Sequence, residues 1–373
     1  MISHPAYVFD KGVSSVATLR VLSIASAGAV FIVCGIGETA AARFSDAPLF
    51  NDVGSYSTTI SANNDLADIY FPNPANLKTG NYSFPIALLL QGANVDKSNY
   101  TNFASTVASY GFVVVVPNHQ KSLPQFGFTG LIPETSQLNA VLAQMVQENS
   151  NFTSPVAGVI NTQKLALLGH SQGGAVGLSA IANLCLPILC EGSFSRPNEL
   201  VAGAFFGANL RNFNTQEFIP INNSKIPTAL LQGNLDNVAL PLNAQKTYEQ
   251  IQNPPKAIIT ISGANHYGIT NTNNPVGARP DMNSPTIAQD VAVETVARWS
   301  ALFLRASVLN DKDAFNYVYS TGDALDANVN VTSQSTPVPE PSTTSALVLV
   351  SGFGAVFGLK KRRQLNNSKV AKN

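Results

Sequence analysis

The chain of 373 residues is 45% hydrophobic and only 12% charged, with 22 basic and 22 acidic side chains. That apolar content excludes disorder for the bulk of the chain, and the length permits a sizeable core in one large or two small domains. The zero balance is unevenly spread: residues 1–42 carry two bases and two acids, and residues 342–373 carry six bases and no acid, which leaves 14 bases against 20 acids between them. An acidic middle argues against a nucleic-acid partner, since phosphate binding needs a basic face.

In chain order, the first segment has a polar lead with Lys11 and Arg20, an apolar and small run from Val21 to Gly37, and then Ala40-Ala41-Ala42. A basic region, a hydrophobic region and a small-residue cleavage site make a secretory signal over 1–42. A short buried helix or an uncut membrane anchor is the alternative. Val33 before Cys34 disfavours a lipoprotein site.

Residues 43–330 alternate short apolar runs with helix-length amphipathic stretches. Strands are expected at Leu66–Phe71, Pro85–Leu90, Phe112–Val116, Leu165–Gly169, Val201–Phe206, Thr228–Gln232 and Ala257–Ser262. Phe112-Val113-Val114-Val115-Val116 is continuous rather than alternating, the mark of a central strand covered on both faces. Helices are expected at Tyr100–Tyr110, Glu134–Glu148, Gln172–Leu184, Leu242–Ile251 and Thr286 to about Leu309. The last presents Ile287, Val291, Val296, Trp299 and Phe303 as a core-facing stripe. Strands that alternate with helices predict an α/β fold with a mostly parallel central sheet flanked by helices, in a single domain.

Gly169-His170-Ser171-Gln172-Gly173 follows the apolar run Leu165–Leu168. Glycines two before and two after a serine suit a sharp strand-to-helix turn, where side chains at the flanking positions would clash. Such a turn lifts the Ser171 oxygen above the sheet edge and puts the Gln172 N–H at a helix start, where an anion is welcome. A serine hydroxyl needs a base to take its proton. Of His4, His119, His170 and His266, only His266 lies C-terminal to Ser171, in the loop after the strand Ala257–Ser262. His119 reads as a pocket-wall or surface residue, and His170 points away from the serine. The base needs a carboxylate to hold its tautomer, and Asp236, just after the strand Thr228–Gln232, is the candidate; Asp281 and Asp290 compete from beyond the histidine. The order Ser171, Asp236, His266 is the one expected of a single fold. Two N–H donors are needed for the oxyanion. Gln172 supplies one, and Ala93 or Asn94, after Gln91-Gly92, supplies the other.

These residues, with Tyr110-Gly111-Phe112-Val113-Val114-Val115-Val116-Pro117, resemble the α/β-hydrolase superfamily over nearly all of 60–310. Within it the pattern is similar to the lidless esterases: dienelactone hydrolases, chlorophyllases, cutinase-like polyesterases and platelet-activating-factor acetylhydrolases. The resemblance implies hydrolysis of a small-molecule or polymeric carboxylic ester through an acyl-enzyme, with no metal or organic cofactor. Gln91-Gly92 stands where many relatives have His-Gly, which leaves backbone donation intact and weakens a side-chain role. The short gaps between strands, Gly207–Ile226 among them, leave no room for a lipase-sized lid. An open cleft walled by Phe126, Phe128, Phe206 and Tyr267 is expected. The rival readings are a non-catalytic, exopolysaccharide-associated envelope protein on the same fold, and an acyltransferase or peptidase using the same three residues.

The end of the chain has a Ser/Thr/Pro linker over 331–345, with Pro339-Glu340-Pro341, then an apolar run Ala346–Leu359 and Lys360-Lys361-Arg362-Arg363. This order of parts resembles the PEP-CTERM sorting tail of Gram-negative bacteria. The resemblance implies an exported domain, extracellular or in the cell envelope. It would be held in the inner membrane through its C-terminal segment until an exosortase-type enzyme cuts the tail. A simple C-terminal anchor is the alternative. Either context permits a disulfide between Cys185 and Cys190, which otherwise read as two small buried thiols.

Overall fold

A computed structural model describes residues 46–335. The signal assigned to 1–42, the Pro-Glu-Pro motif and the apolar and basic tail lie outside the described residues.

The order of elements is β1 (Val53–Ile60), β2 (Asp65–Pro72), β3 (Phe84–Leu90), α1 (Thr101–Ser109), β4 (Val113–Asn118), β5 (Gln120–Leu123), β6 (Phe128–Leu131), α2 (Ser136–Ser150), β7 (Ile160–His170), α3 (Gln172–Ile181), β8 (Leu200–Phe206), β9 (Thr228–Gly233), α4 (Pro241–Gln250), β10 (Lys256–Ile261), α5 (Gln289–Val308), α6 (Lys312–Asn316), α7 (Gly322–Leu325) and β11 (Val329–Gln334). Nine strands form one sheet in the order β1-β2-β4-β3-β7-β8-β9-β10-β11. The six from β4 to β10 run parallel. The edges β1, β2 and β11 pair antiparallel. The two short strands β5 and β6 make a separate hairpin.

The continuous apolar runs become the central strands because both of their faces are covered. In β3, Ala87 and Leu89 face one core while Ile86, Leu88 and Leu90 face the other. β4 divides in the same way, with Val114 and Val116 against Val113 and Val115. Helices α1 and α5 close the first core; α2, α3 and α4 close the second. Each strand thus loses apolar surface on both sides, worth about 25 cal/mol per Å² removed from water.

The structure departs from the sequence-based boundaries at several places, and three of them have a clear local cause. Helix α3 stops at Ile181 because Asn183 turns to φ +55°. Helix α5 starts at Gln289 because the Thr286 N–H is bound to the Gly263 carbonyl, 2.8 Å away. In its stripe Val296, Trp299 and Phe303 are buried, but Val291 is exposed. The sheet also runs on to Gln334, past the expected boundary at 330, because Val329–Gln334 pairs with Lys256–Ile261.

Candidate active site

The chain passes from β7 to α3 through Ser171 alone, at φ +54° and ψ −117°. A non-glycine residue there stores about 1–3 kcal/mol, which the surrounding structure must hold. Two contacts hold it. The Ser171 N–H donates to the Phe206 carbonyl at the end of β8, 2.9 Å away. Gly173 lies so close to β3 that a Cβ on it would come within 2.1 Å of the Leu90 carbonyl oxygen. The hydroxyl of Ser171 makes no hydrogen bond among the described residues, so it is uncommitted at the top of the turn.

Asp236 sits in the turn after β9 and His266 in the turn after β10; both are buried. Asp236 Oδ1 accepts the N–H groups of Val238 and Ala239, at 2.8 and 2.7 Å. Its Oδ2 accepts from Gln232 Nε2 at 3.1 Å and from His266 Nδ1 at 2.8 Å. Apart from the ring, three N–H donors and no acceptor face this carboxyl. The carboxylate oxygen opposite the ring is an acceptor, so His266 Nδ1 is the donor, and in that neutral tautomer Nε2 is left with a lone pair. Gly207, one residue past the carbonyl that holds Ser171, faces the pair. A Cβ there would lie 3.0 Å from His266 Nδ1 and 3.1 Å from Asp236 Oδ2. The serine turn and the imidazole–carboxylate pair thus meet at the C-terminal edge of β7–β10.

Asp281 does not compete for the imidazole. Its Oδ2 accepts the backbone N–H of His266 at 2.9 Å and that of Asn237 at 3.1 Å, so it clamps the two loops together. Asp290 is exposed in the first turn of α5. Nothing in the spacing of Asp281 marks this clamping role.

In the loop after β3, the Asn94 N–H donates to the Leu131 carbonyl at 2.8 Å, and Asn94 Oδ1 accepts the Leu131 N–H at 3.1 Å. Asn94 is tied to β6 and has no backbone N–H to offer an oxyanion, which corrects half of the sequence expectation. The Gly92 N–H is committed to the Tyr100 hydroxyl at 2.8 Å. That leaves the Ala93 N–H, together with the Gln172 N–H in the first turn of α3, where no intrahelical acceptor exists. The Gln91 side chain turns away to the His119 carbonyl, 3.2 Å off. His119 itself is paired with Asp65 at 3.0 Å.

His170, fully buried, completes a chain of hydrogen bonds. Its Nδ1 is 2.9 Å from the Tyr100 hydroxyl and its Nε2 is 2.9 Å from the His266 carbonyl. The His266 carbonyl can only accept, so Nε2 carries a proton. Burial keeps the ring neutral, so Nδ1 accepts from the Tyr100 O–H, whose oxygen takes the Gly92 N–H. Burial, and then the neighbouring His266, hold His170 well below the ordinary histidine value. The Gly92 loop, the serine turn and the His266 loop share one polar network that sequence reasoning did not foresee.

A cleft of about 900 Å³ opens beside Gln172. Its walls are the β5–β6 hairpin, the Leu186–Leu189 loop and the excursion around Asn209–Ile219. Phe128 lines it. Phe206 and Tyr267 do not: both are buried in the core under the His266 loop, and the Tyr267 hydroxyl is bonded to the Arg279 carbonyl. Nothing is described of the Phe126 side chain. Cys185 and Cys190 are joined, closing the loop that carries Leu186–Leu189. Among the described residues no group of three or more His, Cys, Asp or Glu side chains is arranged to hold a metal ion.

The sheet order, the one-residue serine turn and the two loops after β9 and β10 define an α/β-hydrolase fold. A family model for chlorophyllase matches residues 52–186, which include the Gly92 loop and the serine turn. Chlorophyllase-1 of Citrus sinensis is 30% identical over 105 residues, 28% of this chain and 31% of that protein. Chlorophyllase-1 of Citrus unshiu is 29% identical over 92 residues, 25% of this chain and 27% of that protein. Cutinase est2 of Thermobifida alba is 25% identical over 213 residues, 56% of this chain and 59% of that protein. The chain thus spans 27–31% of the length of the two chlorophyllases and 59% of the cutinase.

Proposed function

We propose that this chain is a serine esterase. Ser171 is the nucleophile, His266 the general base and Asp236 the carboxylate that orients it. The observation that carries this reading is the buried His266 Nδ1–Asp236 Oδ2 bond of 2.8 Å beside the strained serine turn. In the first step Ser171 Oγ bonds to the ester carbonyl carbon as its proton passes to His266 Nε2. The negative charge on the carbonyl oxygen falls to the N–H groups of Gln172 and Ala93. The carbon–oxygen bond to the alcohol then breaks, and the alcohol leaves with the proton from His266. Water, deprotonated by the same Nε2, releases the acid and restores Ser171. The names of the chlorophyllase and cutinase relatives support an ester substrate.

The test is labelling by a fluorophosphonate probe, with an ester panel run in parallel. Wild-type protein should label and turn over soluble esters, and Ser171→Ala should do neither while melting as wild type does. Folded wild type that fails to label would leave a binding protein on a hydrolase fold. Export is part of the proposal: the Cys185–Cys190 bridge suits an oxidising compartment.

A further inference from the structure

The cleft beside Gln172 is apolar along Phe128, Ile132 and Leu186–Leu189, yet one charged side chain stands in its wall, Arg211. Arg211 is half-buried. Its Nε donates to Asn209 Oδ1 at 3.0 Å, and its guanidinium carbon lies 5.9 Å from the centre of the Phe218 ring. Among the described residues no carboxylate pairs with it. Glu217, on the same excursion, is bonded instead to the Thr215 hydroxyl. A second cation, Lys246, approaches Phe218 at 5.6 Å. The head of Arg211 is thus held in place through Nε and the ring, with its terminal N–H groups unspent.

A half-buried cation beside an apolar wall, with no carboxylate partner among the described residues, leaves a place for a ligand to bring the counter-charge. Guanidinium offers a planar fork of donors that matches a carboxylate. Gln172, the residue after the nucleophile, and Arg211 both line the cleft. A ligand filling it would present its ester near Ser171, an apolar body along Leu186–Leu189, and its far end to the arginine. We infer that the cleft selects esters whose distal end is a carboxylate, such as half-hydrolysed diesters and acid-ended fragments of a polyester. The inference rests on the esterase reading for its ester end only; recognition of the anionic end is separate and is tested by binding.

The experiment measures binding to Ser171→Ala protein, which holds esters without consuming them. Two matched series are titrated. One is the monomethyl esters of straight-chain dicarboxylic acids against methyl esters of the corresponding fatty acids. The other is ω-acetoxy acids against alkyl acetates of equal length. The acid-ended member should bind about tenfold more tightly in at least one series, and that series shows which arm of the ester enters the cleft. In Ser171→Ala/Arg211→Gln the preference should reverse, because an apolar wall without the cation disfavours an ionised end. Arg211→Lys should keep part of it. Equal or tighter binding of the methyl-ended members in both series, or a preference that survives Arg211→Gln, overturns the inference. Kinetics on wild type then separate the two claims: binding selectivity without any turnover would sink the esterase reading and leave the anion site standing.

Discussion

Substituting Asp236 by asparagine tests the proposed mechanism with little change of shape, and the surrounding donors decide which way the new amide turns. Oδ1 of Asp236 faces two backbone N–H groups and Oδ2 faces Gln232 and His266. The amide oxygen must take the Oδ1 position, since an NH2 there would meet two donors at 2.7–2.8 Å. The NH2 then points at His266 Nδ1 and forces that nitrogen to accept. The ring proton moves to Nε2, the atom that must receive the Ser171 proton. The expected loss in kcat is about 10⁴-fold, or roughly 5.5 kcal/mol of barrier. The Gln232 amide now faces another donor and two charge-assisted bonds become neutral, so stability should drop by about 3 kcal/mol. Turnover of a soluble short-chain ester, followed beside a denaturation curve, reads both quantities. A folded variant that keeps more than a tenth of the wild-type kcat would show that Asp236 does not set the tautomer.

Tyr100→Phe leaves the Gly92 N–H and His170 Nδ1 without partners, both of them buried. It should lower stability by about 2 kcal/mol in chemical denaturation, and a wild-type midpoint would refute the network. His170 is neutral in the fold and ionises in the unfolded chain below about pH 6.5, so unfolding takes up a proton there. Its contribution is full above that pH and is lost as pH falls, by about 1.4 kcal/mol per unit. The stability gap between wild type and His170→Gln should therefore narrow from about pH 7 to about pH 5, and a constant gap would count against a neutral, buried His170. Gly207→Ala, at φ +58°, pushes a methyl group onto His266 and Asp236. Its kcat should fall about a hundredfold, because the reacting groups tolerate little displacement; an unchanged kcat would place the reacting pair elsewhere.

The central strands were legible because burial on both faces leaves a continuous apolar run, as in Phe112–Val116. The edges were not. β1 reads Val-Gly-Ser-Tyr-Ser-Thr-Thr-Ile and β11 Val-Asn-Val-Thr-Ser-Gln, each half exposed and too polar to stand out. At the site, the residues that report position along the chain were legible: the glycines around Ser171 and the loops after β9 and β10 that carry Asp236 and His266. What depends on side-chain direction was not. Nothing in Gln91-Gly92-Ala93-Asn94 says that β6 will capture the Asn94 N–H. No spacing brings Tyr100 to His170 across 70 residues, and none sends the Tyr267 ring into the core with its hydroxyl on the Arg279 carbonyl. Asp281 stood out as an acid near His266, but its partner is the backbone, which a sequence does not display.

The register of the outer strands has a consequence for presentation. Gln334 pairs with Lys256, the first residue of β10, and Val53 pairs with Pro72, at the end of β2 remote from Asn118. Both ends of the folded body therefore emerge from the rim where the parallel strands begin, whereas the serine turn and its partners crown the rim where they finish. The points where the chain enters and leaves the described residues therefore lie across the sheet from the serine turn, so a handle added at either one would stand clear of the cleft.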